Sequence, residues 1–246
     1  MIAAKSYLGK KVAVMGLARS GQSAAEALKA GGAEVIAWDD DVKKCRESAL
    51  LGINISDLTK EDFTNIDALI LSPGIPHSHP KPHVVAKKAK KANTPIIGDI
   101  EIFIKNFVEP RIIGITGTNG KSTTTALVGH ILGCAGLPVE IGGNIGLPVL
   151  GFENTLDASY QVLELSSYQL ELTPSLRCEI AVILNISPDH LDRHGGMDGY
   201  KAAKLKIMES LPENAIAIIG VDDPESIGTV SYTHLRARET RGNLVC

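Results

Sequence analysis

The stretch RIIGITGTNGKSTTTALVGH, residues 111–130, constrains the fold more than any other part of the chain. An apolar run of strand character ends in a glycine-rich turn, and a helical pattern from about Ser122 to Leu132 follows at once. Glycines let backbone N–H groups converge on an anion, and the following helix adds its positive N-terminal end. Lys121 can reach terminal phosphates, and Ser122 can offer its hydroxyl to Mg²⁺. Gly117, Thr118, Asn119, Gly120, Lys121, Ser122 and Thr123 therefore form a candidate ATP-binding loop. The common spacing G-x-x-x-x-G-K-[ST] would need a glycine at position 115, which is Ile115, so this loop has the shorter form G-x-x-G-K-S from Gly117.

The rest of the chain repeats strand and helix in alternation. KVAVMG (11–16), EVIAWD (34–39) and DALILS (67–72) read as buried strands. GQSAAEALKAGG (21–32) reads as a helix ended by glycine, which tolerates the left-handed C-cap. KKAKKAN (87–93) is a solvated basic helix face ending near Asn93. A second series begins at RIIGITG and continues through YQVLELS (160–166), IAVILNI (180–186) and AIAIIG (215–220). Such alternation predicts parallel sheets. The fold expected is α/β, with a Rossmann-like domain over 1–108 and a partial P-loop ATPase domain over 109–229. The boundary falls near KNFVEP (105–110). VSYTHLRARETRGNLVC (230–246) breaks the pattern, with three arginines and no clear period, and reads as a foreign tail.

Bulk properties narrow the function. A net charge of -3 and 4% aromatic residues give neither a basic footprint nor stacking platforms, so no nucleic-acid partner is expected. No apolar run approaches the roughly 18 residues a membrane span needs, and MIAAKSYLGKK has no signal-peptide core. A cytoplasmic protein without a membrane partner is expected. Cys45, Cys134, Cys178 and Cys246 are at least 44 residues apart (178 minus 134), which gives no CxxC pair and reads as scattered thiols.

In open α/β sheets ligands gather at the carboxyl ends of strands. Glu164 interrupts the apolar run VLELS, an expensive place for a carboxylate unless it is paired or holds a metal. His190 follows IAVILNIS, and Asn144 sits in the backbone-permissive loop GGNIG. Each alone has a dull reading as an ion-paired acid, a surface histidine or a turn residue. Beside a phosphate loop they describe a Mg·ATP site. In YKAAKLKIMESL (200–211) the apolar positions Tyr200, Ala203, Ile207, Met208 and Leu211 share one helical face, and Lys204 belongs to it, whereas Lys201 and Lys206 do not. Burial would lower the pKa of Lys204, and a neutral amine reacts with carbon dioxide to give a carbamate, an oxygen ligand suited to Mg²⁺. Helix geometry alone favours a simpler reading, a snorkelling lysine whose stem covers apolar surface.

GLARSG, LSPGIP, GITGTNGKST, GGNIG, ELSSYQL, NISPDHLDRH and YKAAKLKI, in this order, resemble the Mur ligases from about residue 8 to about 225. Within that family, GLARSG together with LSPGIP points to members that add D-glutamate in peptidoglycan synthesis. The resemblance implies an ATP-dependent amide ligase. ATP phosphorylates the carboxylate of UDP-N-acetylmuramoyl-L-alanine, and the amine of D-glutamate attacks the acyl phosphate. It assigns Lys121, Glu164, His190 and Lys204 to catalysis. Ser122 and Glu164 would hold one Mg²⁺, with His190 and a carbamylated Lys204 at a second. Leu17, Ala18, Asp39, Ser72, Gly74, Asn144 and His190 match positions that contact the UDP-substrate. GLARSG has the spacing of a dinucleotide loop, but Ala18 replaces its middle glycine, which speaks against NAD.

The family has three domains, and this chain matches the first and part of the second. By this resemblance the D-glutamate-binding domain is expected to lie outside residues 1–246, and these residues alone are not expected to ligate. A monomer is expected. Two alternatives remain: another ligase of the Mur or folylpolyglutamate type, and a non-catalytic nucleotide-binding fragment.

Overall fold

The computed structural model describes residues 1–107, 111–152 and 159–230. The first half runs β1 (Lys11–Met15), α1 (Arg19–Ala30), β2 (Glu34–Trp38), α2 (Val42–Leu50), β3 (Asn54–Ile55), β4 (Ala68–Leu71), α3 (Val84–Lys91), β5 (Ile96–Ile97) and α4 (Asp99–Lys105). The second runs β6 (Arg111–Thr116), α5 (Lys121–Cys134), β7 (Val139–Gly143), β8 (Tyr160–Glu164), α6 (Ser167–Glu171), β9 (Ile180–Ile183), α7 (Leu191–His194), α8 (Met197–Leu205), β10 (Ile216–Ile219) and α9 (Pro224–Val230). Among the described residues the strands form two sheets, in the orders β3-β2-β1-β4-β5 and β10-β9-β6-β8-β7. Every pairing between them is parallel, the α/β class read from the sequence.

Each sheet reverses its strand order at its first strand. β1 lies between β2 and β4, and β6 lies between β9 and β8. A crevice opens where neighbouring crossovers leave in opposite directions, and it lies at the carboxyl ends of the strands. GLARSG follows β1 and GTNGKST follows β6, so both glycine loops stand at switch points.

Helix ends follow local chemistry. α1 begins at Arg19, two residues before the expected start, and the left-handed residue after it is Gly32 (φ +86°), one beyond the C-cap Gly31. α3 is followed by Asn93 at φ +57°, a position asparagine tolerates better than most side chains. The segment 200–211 is not one helix. α8 starts earlier, at Met197, and gives way to a 3-10 turn at Lys206–Met208. Gly21 lets α1 sit directly on the loop, because a Cβ there would lie 1.8 Å from the Gly16 carbonyl oxygen.

The two sheets share an apolar seam made by α4, α1 and the turn at Val149–Gly151. The Phe103 ring meets Phe152 edge-on at 5.8 Å, and the Ile2 N–H donates to the Leu150 carbonyl at 2.9 Å. Fully buried Glu101 of α4 accepts from the Ser175 N–H at 2.9 Å and the Ser175 hydroxyl at 2.7 Å across the seam.

Neighbouring Asp99 is 2% exposed, and neither carboxyl oxygen has a partner at hydrogen-bonding geometry. Burial pushes its pKa up to about 6, against weaker opposition from the N–H groups of Ile100 and Asp99 and the Ser20 hydroxyl. The folded state therefore holds a proton that the unfolded chain releases near 3.8, and stability falls as pH rises through that window. Asp99→Asn is expected to stabilise the fold at pH 7 by on the order of 2 kcal/mol, with the gain gone near pH 4. Urea denaturation of both proteins at the two pH values measures it, and equal differences at both would contradict it.

Candidate functional site

The loop after β6 is built before any ligand arrives. Gly120 takes φ +80° and serves as the N-cap of α5 with no side-chain cap, so the first-turn N–H groups stay unclaimed by a neighbouring side chain. Asn185, at the carboxyl end of β9, holds the turn from beneath. Its Oδ1 accepts from the N–H groups of Thr118 (3.1 Å) and Asn119 (2.9 Å), and its Nδ2 donates to the Asn119 carbonyl at 3.1 Å. The Thr118 hydroxyl lies 3.0 Å from the Tyr200 hydroxyl. Lys121 folds back to donate to the Thr118 carbonyl at 2.8 Å. Ser122 and Thr123 are exposed at the mouth of the loop.

Glu164 ends β8 beside β6 and is 1% exposed. One of its oxygens accepts from the Ser122 hydroxyl at 2.7 Å, and the other from Asn144 Nδ2 at 2.6 Å. The Asn144 N–H donates to the Glu164 carbonyl at 2.9 Å. The structure thus brings Ser122, Glu164 and Asn144 together. A buried carboxylate with a hydroxyl beside it is a hard-oxygen donor set of the kind Mg²⁺ takes, so these residues fit the ion.

Lys204 lies on the buried face of α8 and is 1% exposed. The snorkelling reading is therefore wrong: the stem does not carry the amine to water. Nζ donates to the Gly117 carbonyl at 2.7 Å and sits 4.7 Å from the centre of the Tyr200 ring. Burial first, then the Lys121 charge, brings its pKa down to about 7, with Asp189 opposing.

His190 is placed differently. It has φ +49°, its side chain is 56% exposed, and its Nε2 lies 3.5 Å from Asp189. Its ring packs against Tyr168 at 5.5 Å. Neither Glu164 nor Lys204 is among these contacts. Among the described residues, no group of three or more His, Cys, Asp or Glu side chains could hold a metal ion.

Around β1 the carboxyl end gathers a second set. Asp39 accepts from the Leu17 N–H at 2.7 Å and the Asp41 N–H at 2.8 Å, with Lys44 at 3.4 Å. Burial works to raise its pKa, but those two N–H groups and Lys44 outweigh it and hold the carboxyl below its ordinary value. Ser72 donates to the Gly16 carbonyl at 3.0 Å, and Ala18 caps α1. Gly74 is exposed, and its carbonyl accepts from Arg193 at 3.0 Å. Asn144 stands with the second sheet, against Glu164 and apart from this set. Sequence reading missed Asn185 and Arg193. Asn185 had a signal, a polar residue at the end of the strand IAVILN.

Residues 115–240 match the family model described as the Mur ligase middle domain, a match that covers the phosphate-type loop, Glu164 and Lys204. The chain is 53% identical over 230 residues to the UDP-N-acetylmuramoylalanine--D-glutamate ligase of Caulobacter sp. strain K31, covering 91% of this chain and 49% of that protein. Proteins of the same name from Caulobacter vibrioides NA1000 and Paramagnetospirillum magneticum are 52% and 48% identical, each with 91% of this chain and 49% of the relative covered. The chain thus spans about half the length of the curated relatives it matches. In fold it is similar to the UDP-N-acetylmuramate:L-alanyl-gamma-D-glutamyl-meso-diaminopimelate ligase of Neisseria, with a TM-score of 0.60 and 17% identity over 92% of this chain and 75% of that one. The glycine loop and the carboxylate facing it lie inside the matched model, and the likeness to the relatives runs through both sheets, so the chain belongs to the Mur ligase family.

Proposed function

We propose that this chain is part of an ATP-dependent amide ligase that joins D-glutamate to UDP-N-acetylmuramoyl-L-alanine in peptidoglycan synthesis. The observation that carries the reading is the buried Glu164 held between Ser122 and Asn144 at the mouth of the β6 loop, in a chain about half identical to ligases of that name. Residues 1–108 would bind the UDP-substrate, through Leu17, Ala18, Asp39, Ser72 and Gly74. Residues 109–229 would bind ATP, through Gly117 to Thr123.

A carboxylate is a poor acyl donor at neutral pH. Transfer of the γ-phosphoryl group of ATP to a carboxylate oxygen gives an acyl phosphate and ADP. The amine then attacks the acyl carbon, the C–O bond to phosphate breaks, and amide and inorganic phosphate leave with loss of the ammonium protons. Lys121 and the first-turn N–H groups of α5 would neutralise charge on the phosphoryl group. Ser122 and Glu164 would hold Mg²⁺, which supplies charge neutralisation on the phosphate oxygens when bound. Lys204, with its charged form disfavoured by burial, would react as the neutral amine with carbon dioxide to give a carbamate, releasing one proton and placing an anion beside the loop. Asn144 would orient Glu164. His190, exposed on its loop, would face the substrate end.

A protein carrying this chain at the full length of its relatives is expected to release phosphate from ATP only when UDP-N-acetylmuramoyl-L-alanine and D-glutamate are both present. Phosphate release supported equally by another amino acid or by a folate substrate would replace this reading with the other ligase classes.

A further inference from the structure

Arg193 is a side chain that links the two halves at their switch-point crevices. It lies on the short helix α7, three residues after His190, which caps that helix, and its Nη1 donates to the Gly74 carbonyl of the first half at 3.0 Å. Its guanidinium lies 4.6 Å from the centre of the Tyr168 ring. That ring also meets the His190 ring at 5.5 Å and the His194 ring, stacked at 5.2 Å with 11° between planes. His194 has a fully buried side chain and is fixed on both nitrogens: Nε2 lies 2.9 Å from the Ser167 hydroxyl and Nδ1 lies 3.3 Å from Glu171. The Tyr168 ring therefore has one rigid neighbour in His194 and one exposed neighbour in His190. A planar guanidinium suits this place, because it can stack on a ring and donate in its own plane at once, whereas an ammonium cannot do both.

We propose that Arg193 is a positioning residue that couples the two halves of the site, holding the His190 ring in place through Tyr168 and registering it against the Gly74 loop. The consequence for function rests on the reading above, in which Gly74 and His190 both face the UDP-substrate. Arg193 touches no reacting atom in this account. It sets the separation between the loop that binds the nucleotide end and the histidine at the acyl end.

The test uses the 246-residue chain and the ring signals of His190 in proton–carbon NMR spectra, assigned with His190→Gln. Without ligand, packing against Tyr168 is expected to displace these signals from those of an unstructured histidine. Arg193→Ala and Arg193→Lys should both collapse that displacement, while the amide signals of both sheets keep their positions. Tyr168→Phe retains the ring and should leave the displacement intact. Unchanged His190 signals in Arg193→Ala would overturn the proposal, as would full rescue by Arg193→Lys, which restores charge without a stacking plane. A second arm adds UDP-N-acetylmuramoyl-L-alanine. The wild-type His190 signals are expected to move on binding, and the Arg193→Ala signals to lose most of that movement. A wild-type chain that fails to bind overturns the assignment of residues 1–108, while the ligand-free arm still decides the role of Arg193.

Discussion

Replacing Lys204 with methionine is expected to stabilise this chain at pH 7 by about 2–3 kcal/mol and to abolish ligation in the full-length protein. The two effects have one origin. Burial and Lys121 lower the amine's pKa to about 7. The unfolded chain, with a lysine near its ordinary 10.5, binds a proton that the folded chain holds only weakly, so folding at pH 7 carries a penalty on the order of 4 kcal/mol. Methionine fills a similar volume without charge. It gives up the hydrogen bond to Gly117, worth about 1 kcal/mol. The sign of the pH dependence follows. Between about 7 and 10.5 the unfolded state binds more protons, so wild-type stability rises with pH, and the advantage of Lys204→Met shrinks towards pH 10.5. Denaturant unfolding across that range measures it. A difference independent of pH would mean that Lys204 is charged and compensated in the fold, and the carbamate reading would fail with it. A sequence that keeps an amine where an apolar side chain packs better keeps it for chemistry.

Glu164→Gln is the second substitution with a large expected effect. The amide preserves volume but removes the negative charge that Ser122 and Asn144 frame at 2.7 and 2.6 Å. Affinity for Mg·ATP should fall about 100-fold or more, roughly 2.7 kcal/mol. ATP without Mg²⁺ should bind the variant as well as it binds wild type, or better, since a carboxylate beside the phosphates repels them when no cation lies between. Calorimetric titrations with and without Mg²⁺ separate the two. Equal losses in both would make Glu164 a support of the loop and not a cation ligand.

Much of this could be read from residues. The long strands were legible because parallel strands buried on both faces are apolar without interruption, as in Ala68–Leu71 and Ile180–Ile183. β3 and β5 have two residues each and carry no period. β7 reads VEIGG, and its two glycines and a glutamate disguise a strand whose pairing with β8 decides its state. The unbroken helix expected over 200–211 failed at Lys206, because side-chain periodicity persists through a 3-10 turn while the backbone changes. Among the site residues, Glu164 was legible as a charge in an apolar run, and Lys204 as a charge on an apolar face. The partnership of Glu164 with Asn144 spans 20 residues, and that of Arg193 with Gly74 spans 119; such contacts are set by sheet order, which no local pattern encodes. The tail at 230–246 lies outside the described residues except for Val230, which closes α9.

The central claim is activation of a carboxylate as its acyl phosphate, and isotope transfer tests it most directly. UDP-N-acetylmuramoyl-L-alanine with ¹⁸O in its carboxylate would be given, with ATP, Mg²⁺ and D-glutamate, to the full-length protein that carries this chain, and the phosphate released analysed by mass. One ¹⁸O atom is expected in the inorganic phosphate for each amide formed, because the carboxylate oxygen leaves with the transferred phosphoryl group. Amide formed with unlabelled phosphate would contradict it.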